Sequence, residues 1–282
     1  MKNFKLMALA LITMVFAACQ SPLSETDNLD LTGQSRAALP NDAPVVLEYA
    51  RLAWHTAAPG EYIMYIEGIV NLKNIAYEKE LTVFSAGANG VSSNDWTTTA
   101  LTNYLGQDDN GYEQWEFRTY GRMMGSVVNF DFAFEYKVNG QTYWDNNSGR
   151  NYNIRVGINE GRIYDGFHGV LNNGPIVLNK ILYPGFEWQA NILVKNLAYA
   201  KNVQMHYSDD DWATTTSVPA TYSRMVDSVN GIEEWLVRIP RSEAQDIDFY
   251  FSYEVNGVTY YDNSRGQDYQ SDDLWGVDRE FY

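Results

Sequence analysis

The chain has 282 residues, 36 of them acidic and 20 basic, giving a formal net charge of -16, and a single cysteine. So acidic a chain is a poor partner for nucleic acid or an anionic membrane surface. One cysteine also excludes an internal disulfide, so each folded part must rely on its own hydrophobic core.

In chain order, Lys2 and Lys5 precede the apolar run Leu6 to Ala18, which leads into Phe16-Ala17-Ala18-Cys19. This is the charged region, hydrophobic region and small-residue cleavage site of a secretory signal, too short to span a bilayer as a mature helix. Residues 1–18 resemble a bacterial lipoprotein signal. The resemblance implies that Cys19 is lipidated and becomes the new amino terminus, anchoring the chain in a membrane. Gln20 rather than Asp after the cysteine suggests outer-membrane export and display at the cell surface. An ordinary secretory signal that happens to contain a cysteine is the alternative. Residues 19–43 are rich in Ser, Thr, Asn, Asp and Gln and read as a flexible tether.

The remainder repeats itself. Lys73-Asn74-Ile75-Ala76-Tyr77-Glu78-Lys79 returns as Lys195-Asn196-Leu197-Ala198-Tyr199-Ala200-Lys201. Asp95-Trp96 returns as Asp211-Trp212 after a loop six residues longer in the first copy, and Glu113-Gln114-Trp115 returns as Glu233-Glu234-Trp235. The longest block, Tyr136-Lys137-Val138-Asn139-Gly140-Gln141-Thr142-Tyr143-Trp144-Asp145-Asn146, returns as Tyr253-Glu254-Val255-Asn256-Gly257-Val258-Thr259-Tyr260-Tyr261-Asp262-Asn263. The copies span residues 44–156 and 175–270, with a linker at 157–174 and a C-terminal tail at 271–282.

Each copy reads as strands. Phe130, Phe132, Phe134, Tyr136 and Val138 alternate with Asn129, Asp131, Ala133, Glu135 and Lys137, which places the two sets on opposite faces. Ile247, Phe249, Phe251, Tyr253 and Val255 form the equivalent inward set, and Asn-Gly follows each strand as a tight-turn pair. About a hundred residues of short strands and turns per copy imply an all-β protein of two antiparallel β-sandwiches in tandem.

A core accounts for most of the 41 aromatic residues. It does not account for Tyr250, which falls in the outward set of its strand. Trp96 and Trp212 stand in polar turns, and Trp144 and Tyr261 end a strand directly after another aromatic. Exposed rings flanked by Asn and Asp suit a pyranose, whose apolar face stacks on the ring while its hydroxyls meet amides and carboxylates.

With Gly149 and Tyr152, or Gly266 and Tyr269, closing the last block, the repeated blocks resemble carbohydrate-binding module family 21, which binds starch and glycogen. The resemblance covers both copies and implies immunoglobulin-like sandwiches that bind α-1,4-linked glucan or malto-oligosaccharide, with no metal or other cofactor. Its main site would take Trp96, Trp144, Asn146, Asn147 and Asn151 in copy one, and Trp212, Tyr250, Tyr261 and Asn263 in copy two. Its second site would centre on Tyr77 and Tyr199, with Tyr104 and Tyr222 as the aromatic partners. Ala133 stands where Tyr250 stands, which ranks the second copy's main site above the first's. Trp115 and Trp235 read as core.

The function expected is therefore non-catalytic glucan binding at the cell surface, with two unequal modules giving avidity, beside a secreted amylase or within a surface complex. A surface assembly or adhesion lipoprotein whose sandwiches face a protein partner is the alternative. A glycoside hydrolase fits less well, since it needs two carboxylates across a cleft, and His55, His168 and His206 are scattered with no nucleophile-base spacing.

Overall fold

The computed structural model describes residues 42–271 apart from 59–60, 87–95, 99, 109–110, 120–121, 124–126, 160–161, 165–168, 183–185, 245, 265 and 267. Residues 1–18, expected as a signal, Cys19, most of the expected tether and all of residues 271–282 but Ser271 lie outside the described residues.

Copy one comprises β1 (Val45–Ala58), β2 (Glu61–Lys73), β3 (Lys79–Ala86), β4 (Ala100–Gln107), β5 (Tyr112–Thr119), β6 (Arg122–Met123), β7 (Val127–Val138), β8 (Gln141–Asp145) and β9 (Tyr152–Asn159), followed by β10 (Arg162–Tyr164) and β11 (Gly169–Leu171). One sheet runs β11-β1-β2-β5-β4 with β6 on β2, and the other runs β10-β9-β7-β3. β8 and β9 take successive stretches of the edge of β7 opposite β3.

Copy two comprises β12 (Ile176–Leu182), β13 (Glu187–Lys195), β14 (Lys201–Ser208), β15 (Thr216–Pro219), β16 (Thr221–Asp227), β17 (Ile232–Pro240), β18 (Asp248–Val255), β19 (Val258–Asp262) and β20 (Tyr269–Gln270). Its sheets run β12-β13-β17-β16 and β15-β14-β18-β19, with β20 on β18. The result is an all-β chain of two sheet-on-sheet modules, as the alternation requires.

Phe130, Phe132, Phe134, Tyr136 and Val138 are buried against Leu47, Ile66, Val70 and Phe117. Ile247, Phe249, Phe251, Tyr253 and Val255 are buried against Trp188, Ile192, Met205 and Val237. Asn139 and Gly140, like Asn256 and Gly257, all have positive φ, the geometry of the hairpin turn that joins two right-twisted strands without splaying them. Gly68 lies under the bulge of β1 between Leu47 and Tyr49, where a Cβ would stand 2.1 Å from the Tyr49 carbonyl oxygen.

The repeated blocks meet through polar contacts that tie one sheet to the other. The Tyr136 hydroxyl donates to the Lys73 carbonyl at 2.8 Å, and Tyr253 does the same to Lys195 at 2.6 Å. Lys79 joins Asn74 and Glu113 at 2.9 and 2.6 Å, as Lys201 joins Asn196 and Glu233 at 2.6 and 2.9 Å. The aspartate of the final block goes inward. Asp145 accepts the Leu47 N–H at 2.6 Å and the Tyr152 hydroxyl at 2.8 Å. Asp262 accepts the Leu178 N–H and, at 2.7 Å, the Tyr269 hydroxyl.

Residues 157–174, expected as a linker, carry the end of β9 together with β10 and β11. β11 pairs with β1 through Tyr49↔Leu171 and Arg51↔Gly169. On its other side the Gly169 N–H donates to Asn179 Oδ1 on β12 at 3.1 Å. Leu171 packs with Val177, Leu193 and Ile232 of copy two and with Tyr49 of copy one. A buried polar contact also joins the copies. Arg51 on β1 is held by Glu67 at 2.7 Å, donates to the Tyr269 hydroxyl and to Ser264 Oγ, and lies 4.9 Å from the centre of the Tyr269 ring.

Removing the Asp262 side chain leaves the buried Leu178 N–H and the Tyr269 hydroxyl without their acceptor, while Arg51 keeps Glu67. Asp262→Ala is expected to cost roughly 2–5 kcal/mol, since two fully buried donors lose their partner together. Asp145→Ala, whose tyrosine is met by the neutral Asn172 side chain at 2.8 Å, should cost only about 1–3 kcal/mol. Urea denaturation of both variants checks the order.

Candidate functional site

The outer face of β14 and β18 in copy two gathers four rings. Register pairs His206 with Tyr250 across the strands, and the two rings stack with centroids 4.8 Å apart at 23°. Trp212 lies 5.3 Å from Tyr250 on one side and Tyr261 lies 6.1 Å from it on another. Tyr250 is thus the centre of the cluster, and its outward position follows from the alternation that buries Phe249 and Phe251.

His206 is the floor. Its Nδ1 meets Ser217 Oγ and its Nε2 meets Ser252 Oγ, each at 2.8 Å. Hydroxyls donate or accept, so either imidazole tautomer is satisfied. Burial lowers its pKa below the ordinary histidine value and keeps the ring neutral at pH 7.

Trp212 is held up by its own turn. It has φ +64° and follows Asp211 at φ +54°, a left-handed conformation that costs a bulky L-residue roughly 1–2 kcal/mol. Ser208 Oγ accepts the N–H groups of Asp210 and Trp212 at 3.2 and 3.0 Å and donates to Asp210 Oδ1 at 2.7 Å. Asp210 also accepts the Thr214 N–H and hydroxyl at 2.9 and 2.8 Å. The Thr214 N–H, with these hydroxyls, lowers the Asp210 pKa below its ordinary value and so keeps the brace charged.

Copy one builds the same face differently. Register opposes Phe84 to Ala133, so an alanine occupies the centre that Tyr250 holds. Trp144 is exposed and its ring lies 5.2 Å from Phe84. Trp96 is exposed beside Thr97, which bridges to Ser85, whereas Trp212 sits four residues before the equivalent pairing of Thr216 with Tyr207. An open groove of about 360 Å³ continues along this face, lined by Glu80, Thr82, Phe84, Thr98, Glu135 and Lys137.

The asparagine loops divide their labour. Asn146 Oδ1 accepts the Gly149 N–H at 2.9 Å, and Asn263 Oδ1 accepts the Gly266 N–H at 2.9 Å, so both of these side chains brace their loops. Asn147 donates its amide to the Asn151 carbonyl at 3.1 Å, and Asn147 and Asn151 both have positive φ.

The tyrosines of the first block stand alone at loop tips. Tyr77 is 98% exposed and Tyr199 101%. Tyr104 and Tyr222, expected as their partners, have ring neighbours of their own: Tyr104 lies 5.6 Å from Trp115, its cross-strand pair, and Tyr222 lies 5.9 Å from Trp235. Trp115 and Trp235 are half-buried and donate their indole N–H to Glu113 and Glu233 at 3.0 and 2.9 Å.

Sequence reasoning passed over Phe84 and His206. Their signal was alternation, since each follows a buried residue (Val83, Met205) on the strand between the first block and the tryptophan. Among the described residues no group of three His, Cys, Asp or Glu side chains is placed to hold a metal ion. What the two faces offer instead is flat aromatic surface bordered by serine hydroxyls in copy two and by threonines, Glu80, Glu135 and Lys137 in copy one, suited to a ligand with one apolar face and polar edges.

The model of the family described as carbohydrate/starch-binding module (family 21) matches residues 42–155 and 172–272. Glucoamylase 1 of Rhizopus oryzae is 33% identical over 102 residues, which cover 35% of this chain and 16% of that protein. Protein phosphatase 1 regulatory subunit 3B of Homo sapiens is 32% identical over 95 residues, 32% of this chain and 31% of that one. This chain therefore spans less than a third of either relative. A solved structure of the starch-binding domain of Rhizopus oryzae glucoamylase, in complex with β-cyclodextrin and maltoheptaose, is 32% identical. It covers 36% of this chain and 95% of its own, with a TM-score of 0.31.

The lowered pKa of His206 has a consequence for stability. Its folded value lies below the unfolded one, so the unfolded state binds the extra proton first and stability falls as pH drops below about 6.5. The denaturation midpoint of the wild-type chain should decline over that window, and His206→Gln should flatten the decline. An identical pH profile in the variant would show that His206 is not the titrating group.

Proposed function

This chain belongs to carbohydrate/starch-binding module family 21 through both of its copies, and on that premise we propose that it binds α-1,4-linked glucan, starch-like or glycogen-like, without cleaving it. The observation that carries the reading is Tyr250, an outward ring packed between Trp212, His206 and Tyr261. A hydrophobic core has no use for such a cluster, whereas a sugar's apolar face does. Malto-oligosaccharides are the small ligands this face would take.

The site residues follow from the same geometry. In copy two the main platform is Trp212, Tyr250 and Tyr261; in copy one the corresponding candidates are the exposed Trp96 and Trp144, with Asn147 and Asn151 on the loop that follows Trp144. Tyr77 and Tyr199, fully exposed at loop tips, serve as lesser contacts. A single shallow platform desolvates only part of each sugar and binds weakly. Two platforms on one chain raise the effective concentration of the second contact on a polymer.

Lipidation of Cys19 would place these platforms at the cell surface, where captured polymer lies within reach of a secreted amylase or a surface complex. The lipoprotein-like signal supports that placement, and labelling with a radioactive fatty acid, lost in Cys19→Ala, tests it.

Affinity electrophoresis through gels containing amylopectin, glycogen or cellulose tests the binding. Retardation by the two α-glucans and none by cellulose is expected; equal, negligible retardation by all three would sink the reading. Trp212→Ala with Tyr261→Ala should remove more of the retardation than Trp96→Ala with Trp144→Ala, because only the former pair flanks an outward tyrosine. Each lost platform should weaken binding about tenfold, equivalent to ~1.4 kcal/mol.

A further inference from the structure

Ala133 belongs to the outward set of β7, facing away from the core with Asp131, Glu135 and Lys137, yet it is only 4% exposed. A lone methyl group on an outer face stays dry only if something covers it. Its cross-strand partner is Phe84, and the Trp144 ring, based on the next strand opposite Glu135, lies 5.2 Å from Phe84 at 37°. The two rings therefore close over the alanine.

Copy two has the inverse arrangement. There the large ring is Tyr250 on β18, and its partner on β14 is His206, spent as a floor between two serines. Between the copies the binding-size ring has moved across one strand pair, from the second strand of the pair to the first. The small or polar residue has moved the other way. Phe84 also lines the groove with Thr82, Thr98 and Glu135, so its ring forms part of an accessible wall.

We propose that Phe84 supplies copy one's main face with the ring that Ala133 lacks, making Phe84 and Trp144 its glucan-stacking platform. This rests on the glucan reading above and gives copy one's main site a ring despite Ala133, while the larger cluster around Tyr250 still makes copy two's the stronger. It also makes the two faces chemically distinct. The Phe84 platform stacks through apolar ring surface alone, whereas Tyr250 brings a hydroxyl to its ligand.

The test uses the full chain carrying Trp212→Ala and Tyr261→Ala, so that copy one is read alone, with maltoheptaose titrated calorimetrically and wild type in parallel. Adding Phe84→Ala should weaken the remaining main-face affinity at least fivefold. Phe84→Tyr should hold it within about twofold, and Phe84→Ala combined with Ala133→Tyr, which imposes copy two's arrangement on copy one, should restore it. Near-UV circular dichroism of each variant reports whether the sandwich is intact. Folded Phe84→Ala protein with undiminished affinity overturns the inference while leaving the glucan reading standing, as does a copy-two-deficient chain that no longer binds at all. Absence of binding by wild type overturns the glucan reading and this inference with it. If Phe84→Ala unfolds the module, Phe84→Leu, which keeps an apolar cover over Ala133 and removes only the ring, decides with Phe84→Tyr. Unchanged affinity in Phe84→Tyr with at least fivefold weakening in Phe84→Leu supports the inference, and unchanged affinity in Phe84→Leu overturns it.

Discussion

A carboxylate set between the sheets, half-buried at Asp145 and buried at Asp262, organises each module. Asp145 and Asp262 end the hairpin strand of their copies, and each grips the backbone N–H of a residue on the first strand of the opposite sheet together with a tyrosine hydroxyl. Burying a carboxylate is costly unless hydrogen bonds replace its water; here they offset part of that cost, and burial still holds both aspartates above the ordinary carboxylate pKa. Because strand side chains alternate, anchoring the aspartate inward turns the preceding Trp144 or Tyr261 outward. The same anchor sets the start of the loop that the first asparagine then braces through Gly149 or Gly266. Core, platform and loop thus share one fixed point.

That fixed point also explains how the copies differ. The tyrosine hydroxyl accepts a neutral amide from Asn172 in copy one and a guanidinium from Arg51 in copy two. Arg51 belongs to the other module, so the polar heart of copy two is completed by copy one. With β11 added to β1 and Leu171 packed on Val177 and Leu193, the segment between the copies is part of the fabric.

Much of this was legible in the sequence because periodicity and repetition report on packing. The inward set of β7 and β18, the Asn-Gly turns and the outward Tyr250 all follow from alternation alone. Other features arise from contacts that alternation does not encode. His206 looked like a scattered histidine because its partners, Ser217, Tyr250 and Ser252, come from other strands. Phe84 was passed over because its meaning depends on the residue opposite, and register is invisible in one strand. The residues 157–174 read as a linker because β11 is only three residues long and gains its order from β1. Asn146 and Asn263 have the chemistry of ligand contacts, but loop geometry spends their amide oxygens on backbone.

Full exposure of Tyr77 and Tyr199 bears on timing. A ring with no neighbours samples its rotamers freely, and stilling it against a ligand costs roughly 0.5–1.5 kcal/mol of side-chain entropy. Tyr250, wedged among three rings, has already lost that freedom during folding. On the proposed reading the tip tyrosines would suit brief encounters that release quickly, while the wedged cluster would set the residence time. A polymer moving over the molecule would be touched often at the tips and held long at the faces.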